Sequence, residues 1–386
     1  MKKQLFIMAI LAMGMSLASC SSDDDENNDN GGEVNAALAD YTATNAKQWS
    51  NYMVAVSTRL QNDATTLYND WAESYNGGKS YAEIFKAHNG TEGYNSALQC
   101  VQTIIEFCGV IANEVGTAKI GDPYNEYVNG DNTAALYMVE SWYSWHSRED
   151  YSNNIISIQN AYYGSRNGKV DANSISALLA QHNPELDAKV KEQIEKTYNA
   201  ILDIPNPFRN NIASDETVNA MNECAALTEL FDVNIKNYLE SNSATFTDAV
   251  LDPIVKQYVD GVILPTYKDL KDRNTALNNA VKTFAASPSD NGFKACATAW
   301  LSAREPWEES EAFLFGPVDT KQLDPNMDSW PLDQVAIYNI LTSESWGNID
   351  WSEGDSDDKI GEAQNVRGFH TLEFLIFKDG KARTIN

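Results

Sequence analysis

From Ala37 onward, apolar side chains recur at three- and four-residue steps, and that spacing confines the chain to α-helices. Trp49, Tyr52, Val56, Leu60, Leu67 and Trp71 trace a first stripe, broken at Asn76-Gly77-Gly78. A second helix is expected over 94–115, stopped by Gly116 ahead of an Ile120-Gly121-Asp122-Pro123 loop, and a third over 134–159. Asn183-Pro184 opens a fourth and Ser214-Asp215-Glu216 a fifth, with cap and first-turn acids where a helix start favours them. The polar stretch 240–247 separates these from a second run: 250–270 interrupted at Pro265, then 275–286, 293–303, 331–341 and 366–377. No long alternating run of β-branched residues interrupts the pattern. The chain has 386 residues, 43% of them hydrophobic, which is enough for two cores. The expected architecture is all-α, with one helical bundle over 37–245, a second over 246–386 and a cleft between them.

The last helix carries the most pointed chemistry. Val366 to Phe377 is apolar nearly all round, so it should be buried, yet it contains His370 and Glu373. Three residues apart, they share a helical face, and both tips can reach one point. Imidazole plus carboxylate at this spacing is half of a metal site. The plainer alternative is a buried ion pair. Gly368 leaves the backbone before His370 open to close approach by another segment.

Two other stretches mix charge with aromatics. Glu140-Ser141-Trp142-Tyr143-Ser144-Trp145-His146 places polar and aromatic groups on every face of the expected third helix. Either a functional site or a Trp-rich seam with a satisfied His146 explains that. In Arg304 to Pro317, Arg304, Glu308 and Glu311 fall at four- and three-residue steps. They form a face with a simple ion pair, or Glu311 supplies an oxygen ligand to the site at His370. Zinc-protease HExxH, GxSxG, phosphate-loop and dinucleotide motifs are absent from the sequence.

The N-terminus reads as a leader. Met1-Lys2-Lys3 is basic, 5–17 is apolar, and Leu17-Ala18-Ser19-Cys20 resembles a bacterial lipobox. The expectation is a signal peptide over 1–19, lipid on Cys20, and an acidic low-complexity tether over 20–36. Ser21-Ser22-Asp23-Asp24-Asp25-Glu26 resembles the surface-export signal of Bacteroidetes lipoproteins. With 28 basic and 55 acidic residues the chain carries −27, which repels nucleic acid. Cys100, Cys108, Cys224 and Cys296 sit among apolar residues and read as small core residues.

Gly368-Phe369-His370-Thr371-Leu372-Glu373 matches the GxHxxE signature of imelysin-like proteins, the family founded on an insulin-cleaving metalloproteinase of the bacterial outer membrane. The stretch from Ala303 to Pro317 resembles the family's ARxPWxxSEAFxFGP segment. Asp328-Ser329-Trp330-Pro331 resembles its D-x-W-P turn, and Ile263-Leu264-Pro265-Thr266-Tyr267 its opening helix. Asn113-Glu114-Val115 and Glu140-Ser141-Trp142-Tyr143-Ser144 are similar to its other half. The halves stand in swapped order, so the chain resembles a circularly permuted member. The resemblance implies two bundles, a site between them around His370, Glu373 and Glu311, and a periplasmic or surface lipoprotein of the outer membrane linked to iron uptake.

The resulting expectation is a divalent metal, iron or zinc, or a metal-bearing ligand held in an interdomain cleft. His370, Glu373 and Glu311 are the expected ligands. Arg304 complements an anionic group. Trp307, Glu308, Phe313, Trp142, Tyr143, Ser144 and His146 line the cleft. The expected partners are the membrane, through Cys20, and components of iron uptake. Two rivals stand beside this: a zinc-type metallopeptidase recruiting His146 as a further ligand, and a binding protein in which His370 and Glu373 are a structural pair.

Overall fold

The computed structural model describes residues 40–343 and 349–385; the leader, the tether with Cys20, and Trp346 lie outside the described residues. Helices run α1 Ala46–Ala72, α2 Tyr81–Ala87, α3 Ala97–Glu114, α4 Gly121–Asn129, α5 Asn132–Met138, α6 Ser147–Tyr163, α7 Ile175–His182, α8 Pro184–Asp203 and α9 Asp215–Glu229. The chain continues with α10 Lys236–Ser241, α11 Asp248–Tyr258, α12 Leu264–Ala286, α13 Asp290–Glu308, α14 Pro317–Thr320, α15 Leu323–Asp328, α16 Gln334–Ser343, α17 Asp357–Gln364 and α18 Gly368–Ile376. A hairpin of β1 (Phe377–Lys378) and β2 (Lys381–Ala382) follows. The protein is all-α apart from that hairpin.

Local chemistry explains most boundaries. Ser80, Ser96, Ser174, Asn183, Ser214 and Ser289 each accept a backbone N–H of the first turn of the helix that follows, as caps do. Gly116 does not stop the second helix. The chain passes through it in a π-helical turn, Val115–Lys119, because a glycine there lets the backbone lie against Cys224, where a Cβ would sit 2.7 Å from the Cys224 Cβ. Pro123 falls in the first turn of α4, where its missing N–H does no harm, so the expected loop is helical. Pro265 likewise sits at the start of α12 rather than breaking a helix, and a second π turn, Val259–Ile263, joins α11 to α12.

The expected third helix is two helices. Between α5 and α6, residues 139–146 leave helical geometry, with Ser141 at φ 50° and Trp145 at φ 63°. Mixed polarity on every face is the mark of that irregular loop, since no helix needed a stripe there.

The bundles do not divide at a single point near 245. Helix α1 packs most extensively on α12, which packs on α13, and α18 lies against α1 and α13. The other group is α3, α6, α8, α9 and α11. The chain's first long helix therefore belongs with its last ones, because its Trp49–Trp71 stripe is completed by side chains distant in sequence. The two groups meet where α13 touches α6 and where the 3-10 turn Glu311–Phe313 reaches α3 and α6.

Helix α18 is buried along its whole length. Its neighbours donate to its carbonyls, including those of the last turn that a helix leaves open. Trp49 Nε1 donates to the Leu375 carbonyl at 2.9 Å, Arg383 Nε to Phe374 at 3.0 Å and Trp300 Nε1 to Phe369 at 2.9 Å. Tyr52 donates to the Val366 carbonyl, just ahead of the helix, at 2.7 Å. Gly368 begins the helix at φ +84°, and a Cβ there would meet the Met327 carbonyl oxygen at 2.4 Å. Only glycine combines that backbone angle with that approach, so Gly368 seats α18 directly on the end of α15. Gly368→Ala is expected to lower unfolding free energy by about 2–4 kcal/mol, read by urea denaturation; a change within about 0.5 kcal/mol contradicts this packing.

Candidate functional site

Seven helices, turns and loops bring charged and polar groups to one place in the seam: Arg304 and Glu308 from α13, His370 and Glu373 from α18, Asp328 from α15, Asp150 and Asn154 from α6, and Lys119 from the π turn. Glu140 comes from the 139–146 loop, and Glu311 from the 3-10 turn that follows α13. Arg304, Glu308, His370 and Glu373 have no exposed surface, and Lys119 keeps only 7%.

Glu373 is the tie between the groups of helices. Its Oε1 accepts the backbone N–H of Tyr143 at 3.1 Å, the N–H of Ser144 at 2.7 Å and the Ser144 hydroxyl at 2.7 Å. Its Oε2 faces His370 Nδ1 at 3.1 Å. Three donors converge on Oε1 and His370 on Oε2, so Glu373 holds the loop and orients the His370 ring, and it belongs to neither of the two converging donor sets. His370 Nε2 then faces Asp328 Oδ1 at 3.1 Å, with Arg304 Nη2 at 3.4 Å and the edge of the Trp330 ring packed on the imidazole.

Arg304 is fully enclosed by acids. It pairs with Asp328, with Glu308 Oε1 at 2.5 Å and with Asp150 Oδ2 at 3.5 Å. Trp307 Nε1 donates to Asp328 Oδ2 at 2.6 Å, and Asn154 Nδ2 to Glu308 Oε2 at 2.6 Å. Lys119 Nζ lies 3.2 Å from Glu140 Oε2 and 3.7 Å from Glu311 Oε1. Burial works against its charge, but Glu140, Glu311, Glu308 and Glu114 together hold the amine well above its ordinary range.

Two sets of donors converge. Glu140, Asp328 and His370 bring ligand atoms within 4.8 Å of one another, and so do Glu308, Glu311 and Asp328, which is common to both. Glu140 Oε2 and Glu308 Oε1 receive no aligned hydrogen bond and face only the charges of Lys119 and Arg304. One imidazole among carboxylates, oriented through its far nitrogen by a carboxylate, fits a hard or borderline divalent ion.

The other expected residues sort by distance from this centre. Tyr143 and Ser144 act through their backbone, and Trp307 through its indole on Asp328. His146 does not join as a second imidazole; its Nδ1 pairs with Asp150 Oδ1 at 2.9 Å and so braces Arg304 from behind. Trp142 stands outside, under Arg209 at 4.2 Å, and Phe313 is core, packed against Tyr258 and Tyr267. The helix stops at Glu308, so Glu311 reaches the cluster from the 3-10 turn rather than along a shared face. Lys119, Asp328, Asp150 and Asn154 were not among the expected site residues. Asp328 stood in the D-x-W-P turn, while a lone Lys119 after an apolar helix carried no signal.

Three buried groups here, His370, Glu308 and Asp324 of α15, are shifted upward. Burial and Arg304 disfavour charge on His370, but Asp328 and Glu373 outweigh them and raise it to about 9. Burial lifts Glu308 to about 8 and Asp324 to about 7. A group with a raised folded pKa gives its full stability below its unfolded value and loses it as pH passes the folded value. For His370 that window runs from about 6.5 to about 9, and both acids act in the same sense. In chelator, stability is expected to fall between these limits, and His370→Gln to flatten the fall, read by urea midpoints across pH; a level wild-type profile contradicts this.

The sequence model of the imelysin (peptidase M75) family matches residues 24–233 and 263–386. A crystal structure of an imelysin peptidase from Bacteroides ovatus is similar at 58% identity and a TM-score of 0.90, over 91% of this chain and 100% of that one. Iron-regulated protein A of Synechococcus elongatus is 29% identical over 124 residues, 32% of this chain and 31% of that protein's length. With a family match across most of its length, the chain belongs to the imelysin family.

Proposed function

We propose that the protein binds a metal ion at His370, Asp328 and Glu140 and serves iron acquisition at the cell envelope. The observation that carries this reading is the orientation of His370: Glu373 takes its Nδ1, and its Nε2 is presented to Asp328 among carboxylates. The oxygen-rich donor set favours iron or manganese over softer ions. Iron is then cargo, and the chain's part is to gather it, exclude bulk water and release it. The name of the cyanobacterial relative, iron-regulated protein A, supports the same process. Lipid on Cys20 would tether the protein to the outer membrane. No helix among the described residues is long and apolar enough to cross a membrane. The peptidase reading draws on the names of the family and of the Bacteroides ovatus relative, and one imidazole among carboxylates is not the ligand set of a zinc peptidase.

The test is metal content after dialysis against iron and zinc. Wild type is expected to retain an equivalent that His370→Ala loses. Glu373→Gln is expected to bind about 10–100-fold more weakly without losing the site, as an orienting group should. Unchanged retention by His370→Ala excludes the assignment.

A further inference from the structure

Each carboxylate of the two converging sets is already faced by a cation that belongs to the chain. Arg304 takes Asp328 and Glu308, and Lys119 takes Glu140 and Glu311. Glu140 belongs to the set that contains His370 and Glu311 to the all-carboxylate set, so a single ammonium spans both. We propose that Lys119 is a resident counter-cation that sets how tightly the site at His370 holds its metal, keeping the affinity below what the same oxygens would give without the ammonium. The inference rests on the metal reading above and names the residue that regulates it.

Three observations carry it. First, Lys119 and an entering cation compete for the same oxygens and repel each other where little water screens them, since Lys119 is only 7% exposed. Second, the two internal cations differ in freedom. Arg304 is clamped by Asp328, Glu308 and Asp150, whereas Lys119 contacts its acids through one mobile amine on a four-carbon stem. Lys119 is thus the cation able to yield. Third, its backbone is fixed independently of the acids. The π turn ends at Lys119, with Gly116 pressed on Cys224 and a Cβ at Gly121 only 2.8 Å from the Gly116 carbonyl oxygen. That turn delivers the amine to the cluster, and an ordinary α-turn, one residue shorter, would swing it about 100° away.

The experiment is calorimetric titration of Mn²⁺, a redox-stable ion with the same oxygen preference, into wild type, Lys119→Gln and Lys119→Arg. Lys119→Gln is expected to bind at least roughly tenfold more tightly, and Lys119→Arg to stay within about threefold of wild type. Mn²⁺ is also expected to raise the Tm of Lys119→Gln more than that of wild type. Wild-type binding with equal or weaker affinity in Lys119→Gln overturns this inference and leaves the metal site standing. Equal tightening by Lys119→Arg also overturns it, because charge would not be the cause. Absence of Mn²⁺ binding by all three proteins overturns the metal reading and this inference together. Should Lys119→Gln fail to fold in chelator, refolding with Mn²⁺ decides: recovery means that the ion replaces the missing ammonium, and no recovery overturns the proposal.

Discussion

The carboxylate of Glu373 holds this molecule's two groups of helices in register. It sits on a buried helix of one group and accepts two backbone N–H groups and a hydroxyl from a loop of the other. Without that acceptor, the loop at 139–146 would present unpaired donors to the interior, which is costly. The same acceptor fixes the His370 ring. Loop position, and with it Glu140, and imidazole orientation are therefore coupled through one side chain. The loop is held from its other side by Arg209 on the Trp142 carbonyl at 3.1 Å and by the Gly380 N–H on the Tyr143 carbonyl at 3.0 Å.

Around that tie the cluster is rich in negative charge. Glu140, Asp150, Glu308, Glu311, Asp328 and Glu373 face the two permanent cations Lys119 and Arg304, with His370 and His146 able to add more. Buried acids in excess must take up protons or cations. Burial lifts Glu308, Asp324 and Glu311, which favours protonation as one resolution; the proposed metal ion would be the other. Arg304 holds Asp328 far below the usual carboxylate range against its burial, and so keeps an ionised oxygen beside His370.

The helical class was legible from periodicity, because a three- and four-residue stripe has few physical alternatives. The buried final helix was legible too, since an apolar sequence on all faces has nowhere else to go. His370, Glu373, Arg304, Glu308 and Glu311 stood out as charges inside apolar or aromatic stretches, and the fold collects them. Three things escaped. The membership of the first helix depends on contacts more than two hundred residues away in sequence, such as Ser57 with Asn278. The loop at 139–146 was masked by helical neighbours on both sides. Lys119 had no local mark, because a lysine's burial is decided by acids contributed from other segments.

Anomalous diffraction from Mn²⁺-soaked crystals locates the ion itself. A peak is expected within bonding distance of His370 Nε2, Asp328 and Glu140, with Glu373 still on His370 Nδ1. An empty cluster at saturating Mn²⁺, or a peak held only by surface acids, would contradict it and leave His370 and Glu373 as a structural pair.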